Sequence, residues 1–511
     1  MTVAPTPAKP LAVAPVAMPV KSGLWARLLK PTVADCLLVL VIFLSFGSSE
    51  KGWQKLFLDG DSGLHIRIGD VILQTGQVPT TNVFSYSLPG REWYAFEWGT
   101  EVIQAALHQA WGLKGVAAMT GVVLGLTFVM VFLFALWRGA NGGVSIFLTF
   151  FAANASSIHF HARPHIFTML FLVMAAWLLE RDRRRPDRLI WTLMPLTVLW
   201  ANLHGGFPVL FVLIGLMVAG QLTERLWAAA LRLTMVGAAC LGASLVNPYG
   251  YHLHQHILET MQAKWLMSLV DEFKSPSFRS EQLMVYMVML FVGLALVGGL
   301  LAKRRFTEVY TILFFAWASL TSVRHVPLFM LAVLPIVAVE LTALWAAFVA
   351  RLPRTSVFRV LDDLSAKLSA GHAHPSLWTL VFVLFLSISP TMMWPRDLAP
   401  EMFPTQLVAR HSELAQARVF TSDQWGGYLI YRNYPRQQVF FDGRHNFYGE
   451  KLITDMSKMR DGHTQAEALL DQYRFDYILI EPDTPLATLV RLWPQWKLID
   501  KDKQALLFRR G

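Results

Sequence analysis

Long apolar runs recur along this chain, and they limit what it can fold into before any motif is considered. Eleven stretches carry few charges: 32–49, 115–137, 143–157, 165–180, 189–203, 206–223, 229–246, 284–302, 306–322, 326–347 and 376–393. Runs of roughly 17–22 such residues, wound as helices, match a hydrocarbon core of about 30 Å. At that depth a helix satisfies its own backbone polar groups. The spacing predicts a mostly α, polytopic membrane protein of about 11 transmembrane helices. The runs at 143–157 and 189–203 are short, so their ends dip into the bilayer. A hydrophobic content of 54% agrees, since soluble domains hold about 45–50%.

The net charge of +10 is not a nucleic-acid signature in such a chain. Its basic residues gather at Arg181–Arg188, at Lys303–Arg305, and at Arg351, Arg354, Arg359 and Lys367 of the 348–375 connector. With the N-terminus inside, these and Arg138 all fall on the cytoplasmic face, where loops meet anionic lipid. The expected location is a bacterial inner membrane, crossed many times, with the C-terminal part in the periplasm. Residues 1–31, rich in Pro, Ala and Val and without a small-residue cleavage site, are expected to form a disordered cytoplasmic leader. Cys36 and Cys240 lie in apolar runs and read as packing residues.

This topology sorts the polar residues. His65, His159, His161, Arg163, His165, His204, Arg324 and His325 all fall in outer connections. Ionisable groups beside a membrane are costly unless they face a wet cavity or a partner, so an outward-facing polar chamber is expected. The expected domains are a transmembrane domain over 32–394, with a first outer loop at 50–114, and a soluble α/β tail over 395–511. In that tail, strand-length runs at Val419–Phe420, Val439–Phe441, Tyr477–Ile480 and Ala505–Phe508 alternate with helical patterns near 449–459 and 464–472.

The richest stretch is in the first outer loop, where Asp59-Gly-Asp61 follows the first span. One carboxylate can act as a general base, or both can ligate a divalent cation such as Mg or Mn through oxygen. The plainer alternative is that Asp61 caps the helix beginning near Ser62. His65 lies one turn on, placed to orient Asp61. Arg67 follows, and reads as a phosphate contact or as a side chain snorkelling to the interface. Glu97-Trp-Gly-Thr-Glu101 closes the loop with further carboxylates.

The string DGDSGLHIRIGDVILQTGQVP resembles the first outer loop of the GT-C superfamily of membrane glycosyltransferases. That superfamily includes protein O-mannosyltransferases, lipid A aminoarabinose transferases and the catalytic subunit of oligosaccharyltransferase. The shared features are the acid Asp61, the helix with His65 and Arg67, and Gly76 before Pro79. Arg163-Pro-His165, Asn202-Leu-His-Gly-Gly206, Asn247-Pro-Tyr-Gly250, Trp425-Gly-Gly-Tyr428 and Asp442-Gly-Arg444 extend the resemblance over most of the chain. It implies an inverting transfer of a hexosyl or pentosyl group, on the outer face, from a polyprenyl-phosphate-linked donor to a lipid, glycan or protein of the envelope. Asp61 is then the first choice of base, Asp59 the second, and Glu97 a further carboxylate. Arg163, His165, His204, Arg324, His325 and Arg67 are candidates to hold the donor phosphate. Trp425, Tyr428, Asp442 and Arg444 are near-site candidates in the tail.

The chain departs from the superfamily in two ways. The loop acid is not followed by Glu, and Trp425-Gly-Gly-Tyr428 lacks the Asp of the oligosaccharyltransferase WWDYG element, so peptide recognition does not carry over. Two other readings stay open. One is a carrier binding an anionic isoprenoid lipid without chemistry. The other is a scaffold for partners in envelope polysaccharide assembly. His252-Leu-His254-Gln-His256 gathers its imidazoles on one face only if extended, and reads as an interfacial helix.

Overall fold

A computed structural model describes residues 29–47, 51–369, 376–388 and 393–511. The expected leader lies almost wholly outside these residues. The chain is mostly helical, and each of the eleven apolar runs coincides with a helix. These are Val33–Ile42, Leu113–Arg138, Gly142–Ser156, His165–Arg184, Leu193–Leu203, Pro208–Thr223, Trp227–Ala243, Glu281–Ala302, Phe306–Thr321, Val326–Ala350 and Leu377–Ile388. Among the described residues, Leu113–Arg138, Glu281–Ala302 and Val323–Ala350 are long and apolar enough to cross a membrane by length and composition. Four more are apolar but shorter: Val33–Gly47, Pro208–Thr223, Trp227–Ala243 and Phe306–Thr321.

Local chemistry fixes the helix ends. Thr32 and Asp35 form a reciprocal capping box at Val33. The Asn141 side chain accepts from the amides of Gly143 and Val144, and Ser280 caps Glu281–Ala302. The Leu113–Arg138 helix is the central pillar, with 78% of its most apolar window buried, against 33% for Glu281–Ala302, which turns most of its surface outward.

The basic clusters are not simply presented to lipid. At one end of the bundle Glu308 accepts from Arg138 (2.9 Å), Arg183 (2.8 Å) and Arg305 (2.6 Å). Glu180 pairs with Arg183 (2.7 Å) and Arg184 (2.9 Å), and Glu340 with Arg305 (2.6 Å). This network ties four of the helices together. Replacing Glu308 by Gln is expected to leave guanidinium groups uncompensated among buried neighbours. The expected cost is about 3 kcal/mol, read as a clear fall in the Tm of the purified protein.

The tail carries a four-stranded sheet of order β1-β2-β4-β3, from β1 (Val419–Phe420), β2 (Tyr477–Ile480), β3 (Trp496–Lys501) and β4 (Leu506–Arg510). β1 and β2 run parallel, and the other two pairs antiparallel. The helical patterns of the tail appear as His445–Arg460 and Ala466–Tyr473. Two expectations need correction. Val439–Phe441 is not a strand of this sheet, because Val439 bridges instead to Ser85 of the outer loop. Trp496–Lys501 is a strand that the apolar pattern did not reveal, because it is an edge strand whose side chains are mostly exposed.

Candidate active site

The first outer loop builds the floor of the site with the helix Asp61–Thr75. Its cap residue is Gly60, and the Asp61 amide donates to Asp59 Oδ1 (2.9 Å). Asp59 therefore serves the helix start, which leaves the Asp61 carboxylate free of capping. The helix stops at Gly76, whose φ of +67° is the left-handed conformation that glycine adopts without steric cost.

Arg163 gathers three acids. Its Nη1 donates to Asp59 Oδ2 (2.6 Å) and Glu272 Oε1 (2.8 Å), and its Nη2 lies 3.2 Å from Asp61 Oδ2. Asp61 Oδ1 is buried and has no hydrogen-bond partner among the described residues. Burial, and then the Asp59 charge, push the Asp61 carboxyl up to about 7, against the pull of Arg163, His65 and His445. Glu272 goes the other way, held well below the usual carboxylate range chiefly by Arg163. It sits on the turn Asp271–Phe273, pinned by Ser322 Oγ donating to the Glu272 carbonyl (2.9 Å) and the Val323 amide to Lys274 (2.8 Å). The Arg324 guanidinium lies over the Phe273 ring at 4.8 Å. Among the described residues Arg324 has no carboxylate partner.

A second cluster adjoins the first. His65 Nδ1 lies 2.9 Å from Glu101 Oε1, and its Nε2 lies 3.6 Å from Glu97 Oε2. His204 Nδ1 accepts from the Gly206 amide (3.0 Å), so its Nε2–H points at Glu97 Oε1, 3.2 Å away. Burial raises Glu97 to about 7 and Glu101 further above its usual range. It lowers His65 and His204, so both imidazoles are neutral at pH 7.

The expected divalent cation fits the Asp59–Asp61 pair poorly, since the Arg163 guanidinium already occupies Oδ2 of both carboxylates. His65, Glu97 and Glu101 offer one ligand atom each, all within 4.8 Å of one another. Glu101 Oε2 is also buried without a partner. An imidazole with two carboxylates suits Mn better than Mg, which prefers oxygen alone.

The tail closes the site from above. Its helix Asp423–Asn433 lies on Asp61–Thr75, and Gln424 Oε1 accepts from the Gly60 amide (2.7 Å). Gly427 faces the Gly60 carbonyl so closely that a Cβ would force them apart. Gly443 sits against Asp61 Oδ1, where a Cβ would overlap the carboxylate. His445 Nε2 pairs with Asp423 (3.0 Å). Burial opposes the charge on His445, but Asp423 and the Asp61 charge raise its basicity overall.

The chamber thus unites Asp59, Asp61, Arg163, His65, Glu97 and His204, with Arg324 at its edge. Several other candidates have different partners. His65 pairs with Glu101 and not with Asp61. Arg67 is taken up by Asp70 (2.6 Å) and the Tyr431 carbonyl (2.7 Å), so it docks the tail. His165 Nε2 donates to the His159 carbonyl (2.7 Å) and His325 Nδ1 to the Ala318 carbonyl (3.1 Å). Trp425 Nε1 donates to the Met402 carbonyl (2.8 Å) and the Tyr428 hydroxyl to Asp397 (3.3 Å), both holding the linker into the tail. Asp442 takes both ends of the Arg444 guanidinium (2.7 and 2.8 Å), which lies among the rings of Trp93, Phe447 and Phe84. The residue that sequence reasoning missed is Glu272. Its signal was a pair of acids, Asp271-Glu272, within an outer connection. The triplet His252, His254 and His256 is helical, and His254 Nε2 meets Ser244 Oγ (2.8 Å).

No protein-family model matches the chain, and neither does any curated protein. Solved structures do match in fold. The oligosaccharyltransferase AglB from Archaeoglobus fulgidus, in complex with an inhibitory peptide and a dolichol-phosphate, aligns with a TM-score of 0.53 at 12% identity. That alignment covers 88% of this chain and 69% of the other. A structure of the A. fulgidus oligosaccharyltransferase in the apo form gives 0.52 at 11% identity over 87% and 69%. ArnT from Cupriavidus metallidurans gives 0.48 at 12% identity over 93% and 97%. The chain shares the fold of these two A. fulgidus oligosaccharyltransferase structures.

Proposed function

We propose that the protein is an inverting, integral-membrane glycosyltransferase acting on the outer face of a bacterial inner membrane. It moves a hexosyl or pentosyl group from a polyprenyl-phosphate-linked donor to a lipid, glycan or protein of the envelope. The observation that carries this reading is Asp61, a buried carboxyl with one oxygen free and an affinity for protons matched to neutral pH. AglB, solved with an inhibitory peptide and a dolichol-phosphate, supports the donor class.

In this reading the Asp61 carboxylate takes the proton of the acceptor hydroxyl as the hydroxyl oxygen attacks the anomeric carbon. The bond from that carbon to the phosphate oxygen breaks, and the leaving lipid phosphate keeps the electron pair. Arg163 holds the base in place and does not contact the phosphate. That leaves Arg324, without a carboxylate of its own, as the group to meet the developing charge. A divalent cation held by His65, Glu97 and Glu101 would add positive charge beside the same chamber.

The test compares lipid-linked and envelope glycans by mass spectrometry in cells with and without the gene. A missing glycan with accumulated donor supports the transferase, and unchanged glycans overturn it. Arg324→Ala is expected to lower kcat/KM by about 10–100-fold, divided between a higher donor KM and a lower kcat, if one charge-assisted contact of about 1.5–3 kcal/mol is lost.

A further inference from the structure

The seam between the outer loop and the tail holds a second cavity, distinct from the chamber around Asp61. Its volume is about 680 Å³, within the range of small-ligand pockets. Asn82, Ser85 and Tyr86 form one wall, and Arg418, Arg436 and Gln437 the other. The seam is held by main-chain bonds, Tyr86 N to Val439 O (3.1 Å) and Val439 N to Phe84 O (2.9 Å).

Two observations mark this cavity as a binding site and not a packing defect. Tyr86 and Gln437 line it, and the Tyr86 hydroxyl and Gln437 Nε2 are buried without a hydrogen-bond partner among the described residues, with Gln437 only 2% exposed. Buried polar groups are normally satisfied, so exceptions point to something that binds there. In addition, the exposed guanidinium groups of Arg418 and Arg436 have no carboxylate partner among the described residues, and no Asp or Glu lines the cavity.

We propose that this seam binds an acidic oligosaccharide, one bearing uronate or phosphate groups. The two arginines would take its anionic groups, and Tyr86 and Gln437 its hydroxyls. The absence of acids rules against a cation. The apolar wall residues are short ones such as Val83, Ala415 and Ala417, which offer no slot for peptide side chains. A run of contacts joins the cavity wall to the chamber: Asn82 Oδ1 accepts from Arg444 Nη2 (3.1 Å), Arg444 grips Asp442, and the next residue, Gly443, rests on Asp61. The role of this glycan as the acceptor rests on the transferase reading, but its binding does not.

The test is calorimetric titration of the purified full-length protein with tetragalacturonate, with maltotetraose as the neutral control and a Gly-Ser tetrapeptide as the peptide control. Tetragalacturonate is expected to bind wild type and Asp61→Asn equally, and to weaken as salt is added. The double variant Arg418→Ala/Arg436→Ala is expected to bind it at least tenfold more weakly. Arg436→Glu alone, at an exposed position, gives the same direction if the double variant fails to fold. Absence of binding to wild type, unchanged binding by the arginine variants, or equal binding of the neutral sugar or peptide overturns the proposal. Because Asp61→Asn is scored for binding and for transfer separately, failure of the groove and failure of the base give different results.

Discussion

Asp61→Asn is expected to lower turnover by about 10²–10⁴-fold, the range over which a positioned general base acts, while leaving donor binding intact. Asparagine keeps the shape and can still meet Arg163, but it cannot take a proton at the position of Oδ1. The wild-type pH profile should show the same group. Burial and Asp59 raise the Asp61 carboxyl to about 7, so the base form is gained, and kcat/KM rises, as pH increases through about 7. Glu97 titrates in the same region, so the apparent value belongs to the cluster. The sign for stability is opposite. A carboxyl raised in the folded state binds more protons folded than unfolded between about pH 4 and 7, so it takes stability away as pH rises through that window. Asp61→Asn should therefore melt at a higher temperature than wild type at pH 8, with the gap closing by pH 4. A variant that retains full turnover, measured on lipid-linked donor, removes Asp61 from the chemistry.

The second large effect belongs to Arg163. Exchange for Met removes the cation shared by Asp59, Asp61 and Glu272. Breaking a buried ion pair by removing one partner typically costs about 3–5 kcal/mol, and three acids lose theirs here. The expected results are a large fall in Tm and loss of transfer. Residual activity, if measurable, should have its pH midpoint moved upward, because Arg163 lowers the Asp61 carboxyl. Arg163→Lys should recover part of the stability, since its point charge cannot reach all three acids at once.

The apolar helices were legible because each run is internally uniform, and the gathering of Asp59, Asp61 and Arg163 from separate connections followed from the order of those runs. The α/β character of the tail was legible too, apart from Trp496–Lys501, where solvent on both faces erases the alternation that marks a strand. Individual partners were much less legible. Arg67 and His65 both stand on the Asp61–Thr75 helix, yet one faces Tyr431 of the tail and the other Glu101 of the next helix. Helical spacing places both residues near Asp61 but does not say which distant element packs on which face. Glu272 was hidden for the same reason. It meets Arg163 only because Ser322 and Val323 fold its turn back over the site.

The contact of Gly443 with Asp61 has a consequence for synthesis. Ribosomes deliver the first outer loop long before the tail. Until the final part of the polypeptide has been made and has settled onto that loop, Asp61 remains wetted and its proton affinity stays ordinary. In the transferase reading the nascent chain is therefore silent, and truncation by a late stop codon leaves a protein without a tuned base.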